Sequence, residues 1–135
     1  KFSGNKIMRR SSSPKFQVHN TALLSTHRSE TWLQIQQQPE QWGRIVESAI
    51  GAHLINNALK ENFNLYYWRE ANDEVDFVLE KRGQIIALEV KSGPSSSKKG
   101  MTTFANKFKP DRLFLIGPKG ISSEEFLRLC PGDLF

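Results

Sequence analysis

From Gly43 to about Lys60, apolar side chains recur at helical spacing, with Ile45, Val46, Ala49, Ile50, Leu54, Ile55, Ala58 and Leu59 on the repeat. One long amphipathic helix is predicted there. The period then shortens to two. Phe63 to Arg69 predicts a strand, joined through Ala71-Asn72-Asp73 to a second in Val75-Asp76-Phe77-Val78-Leu79. Ile85 to Val90 alternates in the same way, and the tetrapeptide Lys81-Arg82-Gly83-Gln84 between the two runs has turn composition, so they pair as a β-hairpin. The second hairpin strand is apolar on both faces: Ile85 and Ala87 lie on the side of Glu89, and Ile86, Leu88 and Val90 lie opposite. That marks an inner strand covered on both sides. After Lys91 come a Ser/Gly/Pro loop to Ser97, a short helix from Lys98 to Phe108 and a strand from Arg112 to Gly117. Ser122 with Glu125 forms a capping-box pattern that opens a last helical turn through Leu129. The order is α-β-β-β-α-β, an α/β sandwich.

The first 42 residues lack this regularity. Arg9-Arg10-Ser11-Ser12-Ser13-Pro14 is polar and turn-rich, Lys15-Phe16-Gln17-Val18 suggests a short strand, and Thr31 to Ile35 begins a weak helix ended near Pro39. Residues 1–42 therefore read as a linker or docking arm from an upstream region, and residues 43–135 as the domain. Phe16, Trp32 and Trp42 are expected to pack on that domain or on a neighbour.

With 135 residues, 38% of them hydrophobic, the chain can bury one core. Its net charge of +5 and pI near 9.5 favour a polyanionic partner. Cys130 is alone, which excludes a disulfide framework and a cysteine-rich zinc site. No apolar run approaches the roughly 20 residues that span a bilayer, and a cytoplasmic setting without membrane attachment is expected. The opening Lys1-Phe2-Ser3-Gly4 lacks an initiator methionine and an apolar signal core, so the chain reads as a fragment of a longer one.

The hairpin also carries the candidate chemistry. A turn centred on Arg82-Gly83 sets Asp76 opposite Glu89, and Glu74 opposite Lys91. Directly opposed residues have Cβ atoms about 4.5–5.5 Å apart, and like charges there repel. A divalent cation shared by the two carboxylates would offset that repulsion, and Lys91, on the same face as Glu89, adds a second positive group. The plainer reading is an ordinary surface ion pair between Glu89 and Lys91, but the doubly covered strand weighs against it. On the long helix, Glu47 falls within the face shared by Ile50, Gly51, Leu54 and Ala58. A carboxylate there must be neutral, salt-bridged or close to a metal, unless it reaches water at the edge of the stripe. Gly51, one turn on, leaves room for another backbone or a ligand. His53, His19 and His27 are expected to be structural.

These residues resemble a known set. Glu47 on the first helix, with Asp76 and Glu89-Val90-Lys91 on adjacent strands, looks like the PD-(D/E)xK, or restriction-endonuclease-like, nuclease superfamily over roughly residues 43–117, with Val75 at the position of the Pro. The resemblance implies a core with a mixed central sheet flanked by helices. It also implies magnesium bound by Asp76 and Glu89, water activation by Lys91, and support of the metals by Glu47. Three segments, Gly43 to Leu54, Glu74 to Val78 and Ala87 to Ser92, are similar to a domain of unknown function that follows an AAA-type ATPase module in many prokaryotic proteins. The run Pro14 to Thr21 looks like that domain's entry segment, with Asn20 where Asp is usual. No Walker A pattern occurs here, so the resemblance places any ATPase module upstream.

The expected activity is metal-dependent phosphodiester hydrolysis of nucleic acid, DNA in the first instance. Asp76, Glu89 and the backbone carbonyl of Val90 are the expected ligands of Mg²⁺ or Mn²⁺, and Lys91 and Glu47 complete the catalytic set. Lys98, Lys99, Lys107, Lys109 and Arg112 are candidate phosphate contacts, or else a solvated helix face. Two rivals stay open. One is a catalytically silent nuclease-fold module that binds DNA or docks a protein. The other is a dimerisation domain with an apolar surface around Phe16, Trp32, Trp42 and Phe135.

Overall fold

In the computed structural model, which describes residues 1–2, 15–26, 29–93 and 99–135, the long amphipathic stretch forms a 20-residue helix. Among the described residues, two short helices precede it, α1 (Ala22–Ser25) and α2 (Trp32–Gln36), and the long helix is α3 (Pro39–Ala58). Strands β1 (Asn64–Glu70), β2 (Asp73–Lys81) and β3 (Gln84–Val90) follow. After them come α4 (Lys99–Phe108), β4 (Arg112–Ile116), α5 (Ser123–Arg128) and a 3₁₀ turn at Pro131–Leu134. Thr31 caps α2 with a full capping box through Gln34. Ser122 caps α5 by accepting the Glu125 N–H.

Helix α3 begins four residues before Gly43. Pro39 occupies its first turn, where a fixed φ and a missing N–H suit a helix start; the proline read as the end of α2 is the beginning of α3. The helix therefore crosses the 42/43 boundary drawn from the sequence. The strand expected at Lys15–Val18 does not form. That segment lies along α3 instead, where the Gln17 amide donates to the Ser48 carbonyl at 2.9 Å, so its polar groups pair with a helix rather than a sheet edge.

The sheet runs β1-β2-β3-β4, antiparallel except for the parallel pairing of β3 with β4. It is a four-stranded mixed sheet with an inner β3, apolar on both faces as expected. On one face Ile86, Leu88 and Val90 pack with Val46, Ile50 and Leu54 of α3, with Phe126 and Leu134 closing that core. On the other face Ala87, Val75, Val78 and Trp68 pack around Phe104 of α4. Phe104 is fully buried and its ring meets those of Trp68, Phe108 and Phe2. Trimming such a ring to Ala typically costs about 3–5 kcal/mol. The two cores clamp the β2–β3 hairpin, and the candidate site residues Asp76 and Glu89 sit toward the open end of that hairpin.

Of the rings named for an exposed surface, Phe16 and Trp32 are exposed, while Trp42 and Phe135 pack against the α3 core. Trp32 and Trp42 meet edge to face with centroids 5.0 Å apart. Among the described residues, no helix is long and apolar enough to cross a membrane.

Candidate functional site

The hairpin takes the expected register: Phe77 pairs with Leu88, Leu79 with Ile86 and Lys81 with Gln84. Its turn holds Arg82 at φ 51° and Gly83 at φ 86°, the two left-handed residues of a tight hairpin turn that matches the twist of the strands. At its open end the ladder stops at Phe77, and the Asp76 side chain takes over. Its Oδ2 accepts the Val90 N–H at 2.8 Å. On the other edge of β2, Tyr66 faces Val78 and Trp68 faces Val75, so one extra β2 residue lies opposite Tyr67. This bulge falls at Asp76-Phe77, and bulges of this kind re-aim side chains beside sites.

Asp76 and Glu89 are buried, with 8% and 7% of their surface exposed, so a charge on either is largely removed from water. Burial drives the Asp76 carboxyl up to about 7. The nearby charge of Glu47 adds to the rise and that of Glu89 adds less, against the Val90 N–H and Lys15, which hold it down. Glu89 Oε1 pairs with Lys91 Nζ at 2.7 Å. Its other oxygen, Oε2, is buried and has no hydrogen-bond partner among the described residues, a costly arrangement for a carboxylate oxygen. For Lys91, burial works against the ammonium, but the hydrogen bond and charge of Glu89, helped by Asp76 and Glu74, outweigh it. The group sits above the ordinary lysine value and stays protonated.

The end of β4 holds Lys91 from behind. Lys91 N–H donates to the Ile116 carbonyl at 2.8 Å. Gly117 follows at φ 144°, and a Cβ there would overlap the Lys91 carbonyl oxygen, so a glycine is required at that crossing.

Glu47 is brought to the same place, with a third of its side chain exposed and salt-bridged as its position on the helix demands. Its partner is Lys15. Lys15 Nζ lies 2.5 Å from Glu47 Oε1, 4.0 Å from Asp76 Oδ1 and 5.2 Å above the centre of the Phe77 ring. Sequence reasoning missed Lys15, because no spacing links the arm to a helix 32 residues later. The signal that could have found it is the entry-segment resemblance, which includes Lys15. Gln17 fills the room left by Gly51. Asn20 Oδ1 accepts the Ala22 N–H in the turn that leads into α1. Beside Glu47 lies an open cleft of about 440 Å³, lined by Gly43, Arg44 and Glu47 of α3 and by Val90, Lys91 and Ser92 at the end of β3; Asp76 and Glu89 do not line it.

The candidate phosphate contacts lie elsewhere. Lys99 pairs with Asp73 at 3.5 Å and Lys107 with Glu70. Arg112 donates to the Leu134 carbonyl at 3.0 Å, and Lys109 is exposed just past α4. None of these four lines the cleft, and Lys98 lies outside the described residues. His53 bonds the Leu129 carbonyl and stands edge-on to Phe126, and His19 bonds Asn56. Both are structural; His27 lies outside the described residues.

Among the described residues, no three His, Cys, Asp or Glu side chains form a ready-made metal cage. The fit for a hard divalent cation therefore rests on the pair. Asp76 and Glu89 are buried, mutually repelling carboxylates, and one oxygen of Glu89 has no partner among the described residues. Oxygen donors of this kind suit Mg²⁺, which keeps several waters and takes one or two carboxylates.

Residues 42–125 match the family model described as Domain of unknown function (DUF4143). No curated protein and no solved structure matches the chain.

Proposed function

The chain belongs to the DUF4143 family, and from the site it carries we propose a metal-dependent nuclease domain of the PD-(D/E)xK type, working in a protein that also holds an AAA-type ATPase module. One observation supports this above the rest: among the described residues Glu89 Oε2 is buried without a hydrogen-bond partner, next to a second buried carboxylate and an ammonium.

Asp76 and Glu89 would hold Mg²⁺ or Mn²⁺, together with the backbone carbonyl of Val90. When bound, that ion supplies Lewis-acid stabilisation of a phosphoryl oxygen and lowers the pKa of water. Lys91, kept as an ammonium by Glu89, is a poor base in this environment. It serves as a charged donor that orients a water and meets negative charge developing on the phosphate. The Val90 N–H fixes the orientation of the Asp76 carboxylate. Glu47 faces Asp76 across the mouth of the site and sets the local negative field.

The experiment separates binding from chemistry. Lys91→Ala should cut Mg²⁺-dependent cleavage of labelled DNA by about 100-fold or more, in the range of a lost charge-stabilising donor, while calorimetry still detects metal. Unchanged cleavage would remove Lys91 from the catalytic set. A catalytically silent docking module is the second reading, favoured by the exposed Phe16, Leu23, Trp32 and Leu33 on the arm and α2.

A further inference from the structure

The acidic cluster is met by an ammonium from each side, and one of the two comes from outside the motif. Lys91 is tied to Glu89, whereas Lys15 sits on the Glu47–Asp76 side, facing Glu47 Oε1, Asp76 Oδ1 and the Phe77 ring. Its position does not depend on its own ion pair. Two residues on, the Gln17 amide donates to the Ser48 carbonyl at 2.9 Å and lies against Gly51, where a Cβ would overlap it. His19 Nδ1 and Asn56 Oδ1 are 2.9 Å apart, and the Asn56 amide donates to the His19 carbonyl at 2.9 Å. These contacts align the arm along α3 and aim Lys15 at the carboxylates.

The seat is nonetheless a shallow one. Residues 15–19 form no helix or strand, Phe16 is 91% exposed, and the Lys15 and Glu47 side chains are each one-third exposed. Partly solvated ion pairs are weak and yield to a stronger competitor. An ammonium and a divalent cation cannot share the same carboxylate edge without strong repulsion.

We propose that Lys15 is an internal cation occupying the Glu47–Asp76 side of the candidate metal site, and that it withdraws when a divalent cation loads, so that the arm acts as a built-in brake. The inference rests on the reading of Asp76 and Glu89 as metal ligands. Linkage makes it reciprocal: if Lys15 weakens metal binding by a given factor, metal must weaken the seating of Lys15 by the same factor.

The test uses the whole 135-residue chain and Mn²⁺ alone. Calorimetric titrations compare the unsubstituted protein with Lys15→Met, which keeps an apolar stem over Phe77 without the charge, and with Glu89→Gln. In parallel, lysines are reductively methylated with and without saturating Mn²⁺ and quantified by mass spectrometry. The expected result is about 5-fold tighter binding in Lys15→Met, the factor equivalent to a weak ion pair, no detectable binding in Glu89→Gln, and a several-fold rise in Lys15 methylation with metal. Binding no tighter in Lys15→Met, with Glu89→Gln still silent, overturns the brake and leaves the metal site standing. Tighter binding with unchanged Lys15 methylation also overturns it, since Lys15 then only repels the ion from a fixed seat. If Glu89→Gln binds as the parent does, or no variant binds, the metal site itself fails and the brake with it.

Discussion

Asp76 is the residue whose environment is furthest from that of a free side chain. Its carboxyl is raised from 3.8 to about 7, first by burial and then by Glu47. Between those values the folded chain holds a proton that the unfolded chain has released, so folding stability falls as pH rises from about 4 to 7 and stays low above it. At about 1.4 kcal/mol per unit, the penalty at pH 8 is on the order of a few kcal/mol. Asp76→Asn keeps an oxygen for the Val90 N–H and removes the charge. In chelator-treated protein it should be more stable than the parent at pH 8 and close to it at pH 4. Denaturant midpoints across that window check this, and a parallel loss in both proteins would contradict it. The closeness of Asp76 to Glu89 was legible from the sequence, because period-two strands and an Arg-Gly turn set the register, but the larger causes of the rise, burial and the charge of Glu47, come from packing against the sheet and from the long helix. The side-chain bond to Val90 was not, because a register names opposed residues and not where a ladder ends.

The hairpin was the most readable element and the bulge beside it the least. Val75 to Leu79 are all buried, so the apolar pattern of β2 carries no break where the extra residue enters, and only pairing with β1 reveals it. The arm was misread for a related reason: Lys15-Phe16-Gln17-Val18 alternates like a strand, but its partners are the Glu47 side chain and the Ser48 carbonyl of α3, far away in sequence. The start of α3 at Pro39 follows from proline's preference for the first helical turn, a signal set aside when Pro39 was taken as a stop. At the other end of the site, Gly117 lets β4 pass behind Lys91. Gly117→Ala places a side chain at φ 144° and against the Lys91 carbonyl, so it should destabilise the fold by roughly 1–3 kcal/mol. It should also lower cleavage beyond what stability explains. Thermal melts read beside activity at a temperature where both proteins are folded would show it, and an unaffected midpoint would remove the packing role assigned to Gly117.

For the whole molecule, a net charge of +5 is compatible with a polyanionic partner, yet the basic groups are spread. Lys99 and Lys107 are committed to Asp73 and Glu70, and Arg44 and Lys91 stand at the cleft. Duplex binding should weaken with salt at a log–log slope of about −0.9 for each phosphate neutralised. Lys109→Ala should flatten that slope by about one unit if the exposed Lys109 meets the backbone. An affinity indifferent to salt would remove nucleic acid as the partner. The order of elements and the inner, doubly covered strand were readable from periodicity, whereas the strand order β1-β2-β3-β4 and the contact that joins arm to site were visible only in three dimensions.

The most direct measurement is cleavage of labelled linear, branched and single-stranded DNA and RNA by the full chain with Mg²⁺ or Mn²⁺, beside Glu89→Gln. Hydrolysis that needs the metal and falls by at least about 100-fold in the variant, with nucleic-acid binding retained, is the predicted result. No cleavage of any substrate under conditions where both metal and nucleic acid bind would contradict the nuclease and leave a docking module in its place.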